Sequence, residues 1–239
     1  MCHWGPGFGA DLRGISLADV VLDDAAYAAV RAAFEEDSVL VLRNQDVTDQ
    51  TQLAFSDRLG PPEVTKFGSQ GEGTYFVILS TIGLAGKVEP TDHRIAMRNK
   101  VNQLWHIDAS FKRVPALTSI LSARIIPASG GETEFASTRL AFERLDPGLR
   151  ASLEDSFAWH DYTHSQRPDR RDLASAKKRA ALPGQCWRMV WRNPLNGHSA
   201  PYIASHAGGI EGMEATAGRK LIEDLMVAAT APGTSYLHQ

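Results

Sequence analysis

The first sixty positions of the chain switch between two hydrophobic periods. Phe8-Gly9-Ala10-Asp11-Leu12-Arg13-Gly14-Ile15 alternates apolar and other residues, the period of two that a half-buried strand requires. Asp23 or Asp24 then caps a predicted helix reaching about Phe34, with Tyr27, Val30, Ala33 and Phe34 along it. Ser38-Val39-Leu40-Val41-Leu42-Arg43 is a short apolar run of the kind that forms a strand buried on both faces. Thr48-Asp49-Gln50 opens a second helix through Leu53, Phe55 and Leu59, and Gly60-Pro61-Pro62 stops it. The opening therefore predicts strand, helix, strand, helix.

Residues 64–100 are rich in Gly, Thr and charge yet hold the predicted strand Tyr75-Phe76-Val77-Ile78-Leu79. They carry too many apolar residues for a linker and resemble an excursion near a functional site. Residues 117–126 are a further strand candidate, ended by Pro127-Ala128-Ser129-Gly130-Gly131. Glu132-Thr133-Glu134-Phe135 follows, then a helix containing Leu140, Phe142 and Leu145. Residues 162–178 are strongly polar, with Arg167, Arg170, Arg171, Lys177 and Lys178, and read as a solvated loop. Val190-Trp191-Arg192 and Pro201-Tyr202-Ile203-Ala204 predict later strands. A helix over residues 215–229 keeps Leu221, Leu225 and Met226 on one face, and residues 234–239 have the pattern of a strand that has just begun. Strands with fewer helices predict a mainly β fold with flanking helices.

Composition narrows this little. The chain has 239 residues, 43% hydrophobic and 22% charged, enough for one sizeable core and an ordinary balance for a single globular domain spanning 1–239. With 25 basic against 28 acidic residues and a net charge of −3, nothing points to a nucleic-acid partner. The two cysteines, Cys2 and Cys186, make a structural disulfide improbable and favour a reducing cytoplasm. Met1-Cys2-His3-Trp4 lacks the basic start and apolar run of a signal peptide. No apolar stretch approaches the roughly 20 residues of a membrane helix.

Candidate chemistry changes the picture at Trp105-His106-Ile107-Asp108. In an extended segment His-X-Asp puts both side chains on one face, because strand side chains alternate. An imidazole nitrogen and a carboxylate oxygen then meet one cation from the same side. A further distant histidine would complete a facial triad, leaving three positions open on an octahedral metal and suiting iron(II) with an organic cosubstrate and dioxygen. The same triplet also describes a histidine hydrogen-bonded to a neighbouring carboxylate, and spacing alone does not choose between them.

The surrounding residues carry a resemblance. Asn102-Gln103-Leu104-Trp105-His106-Ile107-Asp108-Ala109-Ser110-Phe111 and Pro127-Ala128-Ser129-Gly130-Gly131-Glu132-Thr133-Glu134-Phe135 resemble two blocks of the taurine/2,4-dichlorophenoxyacetate dioxygenase family. The similarity extends from Gly7-Phe8-Gly9-Ala10 through Gly60-Pro61 to Ile203-Ala204-Ser205-His206-Ala207-Gly208-Gly209-Ile210-Glu211-Gly212. Within the family the chain is most similar to the branch acting on phenoxyalkanoate herbicides. The resemblance implies a distorted double-stranded β-helix, or jelly roll. It also implies Fe(II), 2-oxoglutarate as cosubstrate and O2, with release of succinate and CO2. The expected partner is an anionic small molecule, an aryloxyalkanoate hydroxylated with ether cleavage. The alternatives are the same chemistry on taurine, another sulfonate or an alkyl sulfate, and a non-catalytic jelly-roll binding protein. Homo-oligomers are common in the family.

Residue by residue, the resemblance implies iron binding by His106 and Asp108 and contact of Thr133 with the distal carboxylate of 2-oxoglutarate. A threonine hydroxyl suits that task, although Thr133 alone also reads as a β-branched strand residue. His206 either donates to the substrate carboxylate or packs and caps the following turn. Tyr202 shares the first task or is a strand aromatic. Lys66 and Lys87 either pair with an anionic substrate or are solvated surface charges. His160 and His164 stand four apart, but their sequence is not clearly helical and lacks an evident third ligand. His93 and His198 lie in polar, turn-like sequence. One departure matters: the family's second iron histidine and the arginine that clamps 2-oxoglutarate have no matching block here. His238, in Tyr236-Leu237-His238-Gln239, matches the strand before that block and not the ligand. The expectation is therefore a chain short of its C-terminal strands.

Overall fold

In the computed structural model, the residues described are 1–4, 7–65, 71–83, 86–88, 102–165 and 180–238. Lys66 and His93 lie outside them, as do the charged side chains between 167 and 178. Among the described residues ten strands accompany seven helices, in keeping with the strand-and-helix expectation.

The N-terminal layer contains the predicted strand, helix, strand and helix in order, with an added first strand and an added short helix. β1 (Cys2–His3), β2 (Ala10–Leu12) and β3 (Leu40–Leu42) form a three-stranded sheet in which β2 pairs antiparallel with β1 and parallel with β3. The parallel pair needs a crossover, supplied by α1 (Leu17–Leu22) and α2 (Asp24–Asp37). Ser16 caps α1, and Asp23 caps α2 by accepting from the Ala25 N–H at 2.7 Å, which satisfies donors the first turn leaves free. Thr48 caps α3 (Asp49–Leu59) in the same way. Leu17, Val20, Val30 and Phe55 from these three helices make one buried cluster, against which Leu12, Leu40 and Leu42 pack.

The second layer holds the larger core. β5 (Phe157–His160) is the centre of a sheet with β6 (Gln185–Arg188) on one side and β9 (Ala207–Ile210) on the other, both antiparallel. β7 (Val190–Arg192) and β8 (Ser199–Pro201) form a ribbon, and so do β4 (Thr133–Ala136) and β10 (Ser235–His238). The helix Ala215–Ala229 lays Ile222 and Leu225 against Ala158, Met189, Ala207 and Ile210. Gly218 permits that approach, since a Cβ there would lie 3.1 Å from the Ile210 backbone nitrogen.

Two predicted strands are not formed. Residues 75–79 and 117–126 belong to no regular strand, and Tyr75, Val77, Ile78, Leu79, Leu117, Leu121, Ile125 and Ile126 are exposed. An apolar run becomes a strand only where a neighbouring backbone completes its ladder, and no described strand pairs with either segment. Residues 117–126 are held instead by side chains: Gln52 donates to the Ile120 carbonyl at 3.1 Å, and Arg124 donates to the Val47 carbonyl at 2.7 Å. The run at 201–204 likewise contributes only Pro201 to β8. Among the described residues no helix is long and apolar enough to cross a membrane.

Candidate active site

The segment carrying His106 and Asp108 is irregular, with no regular structure over 105–107 and a turn at 108–110; it is not the regular strand that side-chain alternation requires. The two side chains nevertheless converge, with His106 Nε2 3.5 Å from Asp108 Oδ1. The turn is forced by Ala109, which adopts φ +59°, a left-handed conformation that a non-glycine residue enters at a cost of about 1–2 kcal/mol. It is closed by the Lys112 N–H donating to the Ala109 carbonyl at 2.9 Å. Ala109, Ser110 and Phe111 are buried, and Trp187 Nε1 donates to the Ser110 carbonyl at 2.7 Å. The donors thus stand on an anchored turn.

Each donor is held through its other atom. His106 Nδ1 lies 2.7 Å from the Leu104 carbonyl, which can only accept, so Nδ1 carries a proton and Nε2 is the nitrogen that faces Asp108 and, once deprotonated, can bind a cation. Asp108 Oδ2 accepts from the Ser119 hydroxyl at 2.5 Å, leaving Oδ1 for a cation. Asp108's carboxyl is pushed down to about 2 by the His106 contact, with Ser119 adding to the effect against the opposing pull of burial. His106 is raised by Asp108, again against burial, with the Leu104 carbonyl assisting.

These residues fit a metal. Bonds of about 2.1 Å at right angles put neighbouring donors about 3.0 Å apart, so a pair at 3.5 Å closes on an ion with a small movement. Hydrogen bonds to the non-ligating atoms are the outer-shell arrangement that orients metal-binding histidines and carboxylates. Among the described residues no third His, Cys, Asp or Glu joins them to form a group of three.

His206 lies beside this pair. The Ser205 N–H donates to the Trp105 carbonyl at 3.0 Å, tying the two segments together. The His206 ring is buried, edge-on to Phe111 at 4.7 Å, with Nδ1 2.9 Å from the Ser165 hydroxyl. Burial holds His206 down to about 4, reinforced by the nearby His106 and His160 and opposed by Asp108. Tyr202 opens the same turn, its ring stacked at 4.2 Å on Trp191 and at 5.3 Å on His160.

No described hydrogen bond or ion pair joins the remaining candidates to His106 or Asp108. Thr133 is half-buried on β4, paired in register with His238 on β10. Lys87 is exposed in a turn where its carbonyl accepts from the Gly83 N–H at 2.8 Å. His160 ends β5, and His164 is on the short helix Tyr162–Ser165. Ser119, Ser165 and Phe111 are contacts that sequence reasoning did not single out; Ser119 lies eleven residues past Asp108 in a stretch with no local signal. A cleft of about 280 Å³ is lined by Trp159, Asp161, Thr163, His164, Gly208 and Gly209, without either donor.

Comparison with known proteins decides the family. The sequence model described as "Taurine catabolism dioxygenase TauD, TfdA family" matches residues 3–239. The chain belongs to the TauD, TfdA family. Among TauD, TfdA relatives, it is 33% identical to the alpha-ketoglutarate-dependent 2,4-dichlorophenoxyacetate dioxygenase of Cupriavidus pinatubonensis, over 98% of this chain and 83% of that one. It is 30% identical to the (S)-phenoxypropionate/alpha-ketoglutarate-dioxygenase of Sphingobium herbicidovorans, over 97% of this chain and 79% of the other. The crystal structure of AAD-2 in complex with Mn(II) and N-oxalylglycine superposes with a TM-score of 0.90 at 31% identity, covering 99% of this chain and 84% of that one. The strand-and-helix architecture is therefore that of this dioxygenase family.

Proposed function

We propose that this chain is an Fe(II)- and 2-oxoglutarate-dependent dioxygenase that hydroxylates an aryloxyalkanoate of the phenoxyacetate or phenoxypropionate type. The observation that carries the reading is the His106–Asp108 pair at 3.5 Å with both non-ligating atoms held, in a chain of the TauD, TfdA family. Its fold reads as one domain over 1–239, a distorted double-stranded β-helix. Iron(II) with 2-oxoglutarate and O2 supplies the oxidising power, releasing succinate and CO2 as a C–H bond of the substrate is hydroxylated.

The chain's own residues do the binding and orienting. His106, kept in one tautomer by the Leu104 carbonyl, presents Nε2; Asp108, ionised, presents Oδ1. The family resemblance implies a second histidine and an arginine in the complete set. Thr133 donates its hydroxyl to the distal carboxylate of 2-oxoglutarate. His206, neutral and fixed by Ser165, donates to the substrate carboxylate, with Tyr202 beside it and Phe111 as an apolar wall. Lys66, outside the described residues, and the exposed Lys87 are candidates to pair with the anion. Hydroxylation at the carbon beside the ether oxygen gives a hemiacetal, which collapses to a phenol and a keto or aldehyde acid. The protein is expected in the cytoplasm as a homo-oligomer.

Succinate release with Fe(II) and 2-oxoglutarate tests the reading across aryloxyacetates, both enantiomers of aryloxypropionates, taurine and alkyl sulfates. Stimulation by an aryloxyalkanoate, with release of the phenol, is expected. Stimulation by taurine or a sulfate ester alone would overturn the substrate class. Tight binding of the anions without succinate from any of them would favour a non-catalytic binding protein.

A further inference from the structure

Asp108 is oriented by a residue that no strand ladder holds in place. Its Oδ2 accepts from the Ser119 hydroxyl at 2.5 Å, the short length of a hydroxyl bond to an ionised carboxylate. Ser119 lies in residues 117–126, which belong to no regular strand. A loop residue placed only by its own chain loses such a contact to rotamer and backbone freedom, so the anchor has to come from outside the segment.

Helix α3 supplies it at both ends. On its first turn Gln52 Nε2 donates to the Ile120 carbonyl at 3.1 Å, one residue past Ser119. The Arg124 guanidinium spans the same turn, donating to the Val47 carbonyl at 2.7 Å, to Asp49 Oδ1 at 2.9 Å and to Gln52 Oε1 at 3.2 Å. Exposed ion pairs contribute little by themselves, so Arg124 matters here for its geometry: one planar guanidinium with three fixed acceptors sets where its segment can lie. The Ile120 side chain packs against the cluster of Leu17, Val20, Val30 and Phe55, the last of which belongs to α3. Just past the other end of the helix, Lys112 Nζ donates to Glu63 Oε2 at 2.5 Å, and the Lys112 N–H closes the turn at Ala109. The stretch from the metal-binding turn to Ser119 is thus gripped at its start and its end by one helix and its flanks.

We infer that α3 is a brace for the metal site: through Gln52 and Arg124 it holds Ile120 so that Ser119 keeps Asp108 Oδ2 occupied and Oδ1 aimed at the cation. Gln52 and Arg124 are positioning residues, since they act on Asp108 only through Ser119. The inference rests on the metal-binding reading of His106 and Asp108 and not on the choice of substrate. A carboxylate free to rotate offers the ion either oxygen in many orientations, whereas one held through its outer oxygen is already arranged for binding.

The test is calorimetric Mn(II) binding to the full-length protein, with the visible spectrum of the Co(II)-loaded form as a readout of coordination geometry. Ser119→Ala is expected to weaken Mn(II) about 10–100-fold. Gln52→Leu and Arg124→Met are expected to weaken it about 3–10-fold each, with the Co(II) spectrum shifting in the same direction as in Ser119→Ala. Because the brace acts through Ser119, adding Arg124→Met to Ser119→Ala costs no further affinity. Arg124→Lys and Ser119→Thr keep a donor and restore part of the loss. Leu153→Ala, in the other core, lowers stability without touching the segment and leaves affinity and spectrum as in wild type. Wild-type Mn(II) affinity in both Gln52→Leu and Arg124→Met would overturn the inference alone. So would a fully additive loss in the double variant, or an equal loss in Leu153→Ala, because either is general loosening of the fold. Absence of Mn(II) binding by wild type would overturn it together with the metal-binding reading of the site.

Discussion

Replacing His160 by phenylalanine makes a prediction about stability that does not depend on any substrate. The ring is fully buried and held down to about 4, whereas an unfolded chain protonates its histidines near 6.5. Above pH 6.5 both states leave this group neutral, and the native state has its full stability. Between 6.5 and 4 the unfolded state takes up a proton that the native ring refuses, so stability falls as the pH falls. From pH 7.5 to 5.0 that difference is worth about 2 kcal/mol, at about 1.4 kcal/mol for each pH unit below 6.5. In His160→Phe this part of the loss disappears, while the contributions of His206 and the carboxylates remain. Urea unfolding of wild type and variant at both pH values measures it as a difference of differences. His160→Leu, a second non-titrating replacement, controls for the fit of the larger ring. The same pH 7.5-to-5.0 loss in wild type and in both variants would refute the claim that this imidazole is buried uncharged.

Other perturbations address the donor turn and the packing beneath it. Ser119→Ala removes the hydroxyl on Asp108 Oδ2; Mn(II) affinity is expected to fall about 10–100-fold, with the Asp108 carboxyl rising from about 2, read by calorimetry across pH. Ala109→Val puts a β-branched residue at φ +59° and is expected to destabilise by about 2 kcal/mol, whereas Ala109→Gly stays near wild type; thermal unfolding separates them. Gly9→Ala, at φ +73°, would drive a Cβ into the Trp4 ring, which stacks on Tyr236 at 4.0 Å, so Trp4 should leave that stack, seen as a lower Tm and a red-shifted tryptophan emission. Leu153→Ala empties a side chain that is 1% exposed in the main core and should cost about 2–5 kcal/mol in urea unfolding.

What the sequence made legible follows the range of the interactions involved. The helices capped by Asp23 and Thr48 were readable because these residues act on N–H groups two or three residues away, whereas the short helix capped by Ser16 was not singled out. His106 and Asp108 were readable because their spacing and flanking residues are local. Residues 75–79 and 117–126 misled, since their apolar patterns state a preference for burial and not which backbone will pair with them. Ser119, Ser165 and the full burial of His160 emerge only after distant segments meet. The four-residue spacing of His160 and His164 invited a metal reading, but β5 ends between them, so they are not successive turns of one helix.

The two halves of the site also differ in how they are held, and the difference bears on what each must do. His106 and Asp108 are partly open, their side chains 36% and 57% exposed, and orientation comes from one hydrogen bond to each non-ligating atom. A metal ion arrives hydrated and exchanges water for ligands, so donors at the surface of an anchored turn can capture it without opening the fold. Recognition of an organic anion gains instead from a dry surround, where uncharged donors bind a carboxylate more strongly than in water. His206 is buried, and that burial holds its ring down to about 4, so a neutral ring N–H is what it has to offer on that side. The Ser205–Trp105 hydrogen bond joins the two halves. Any displacement of the turn bearing His206 would therefore act through that bond on Trp105, the residue immediately before His106.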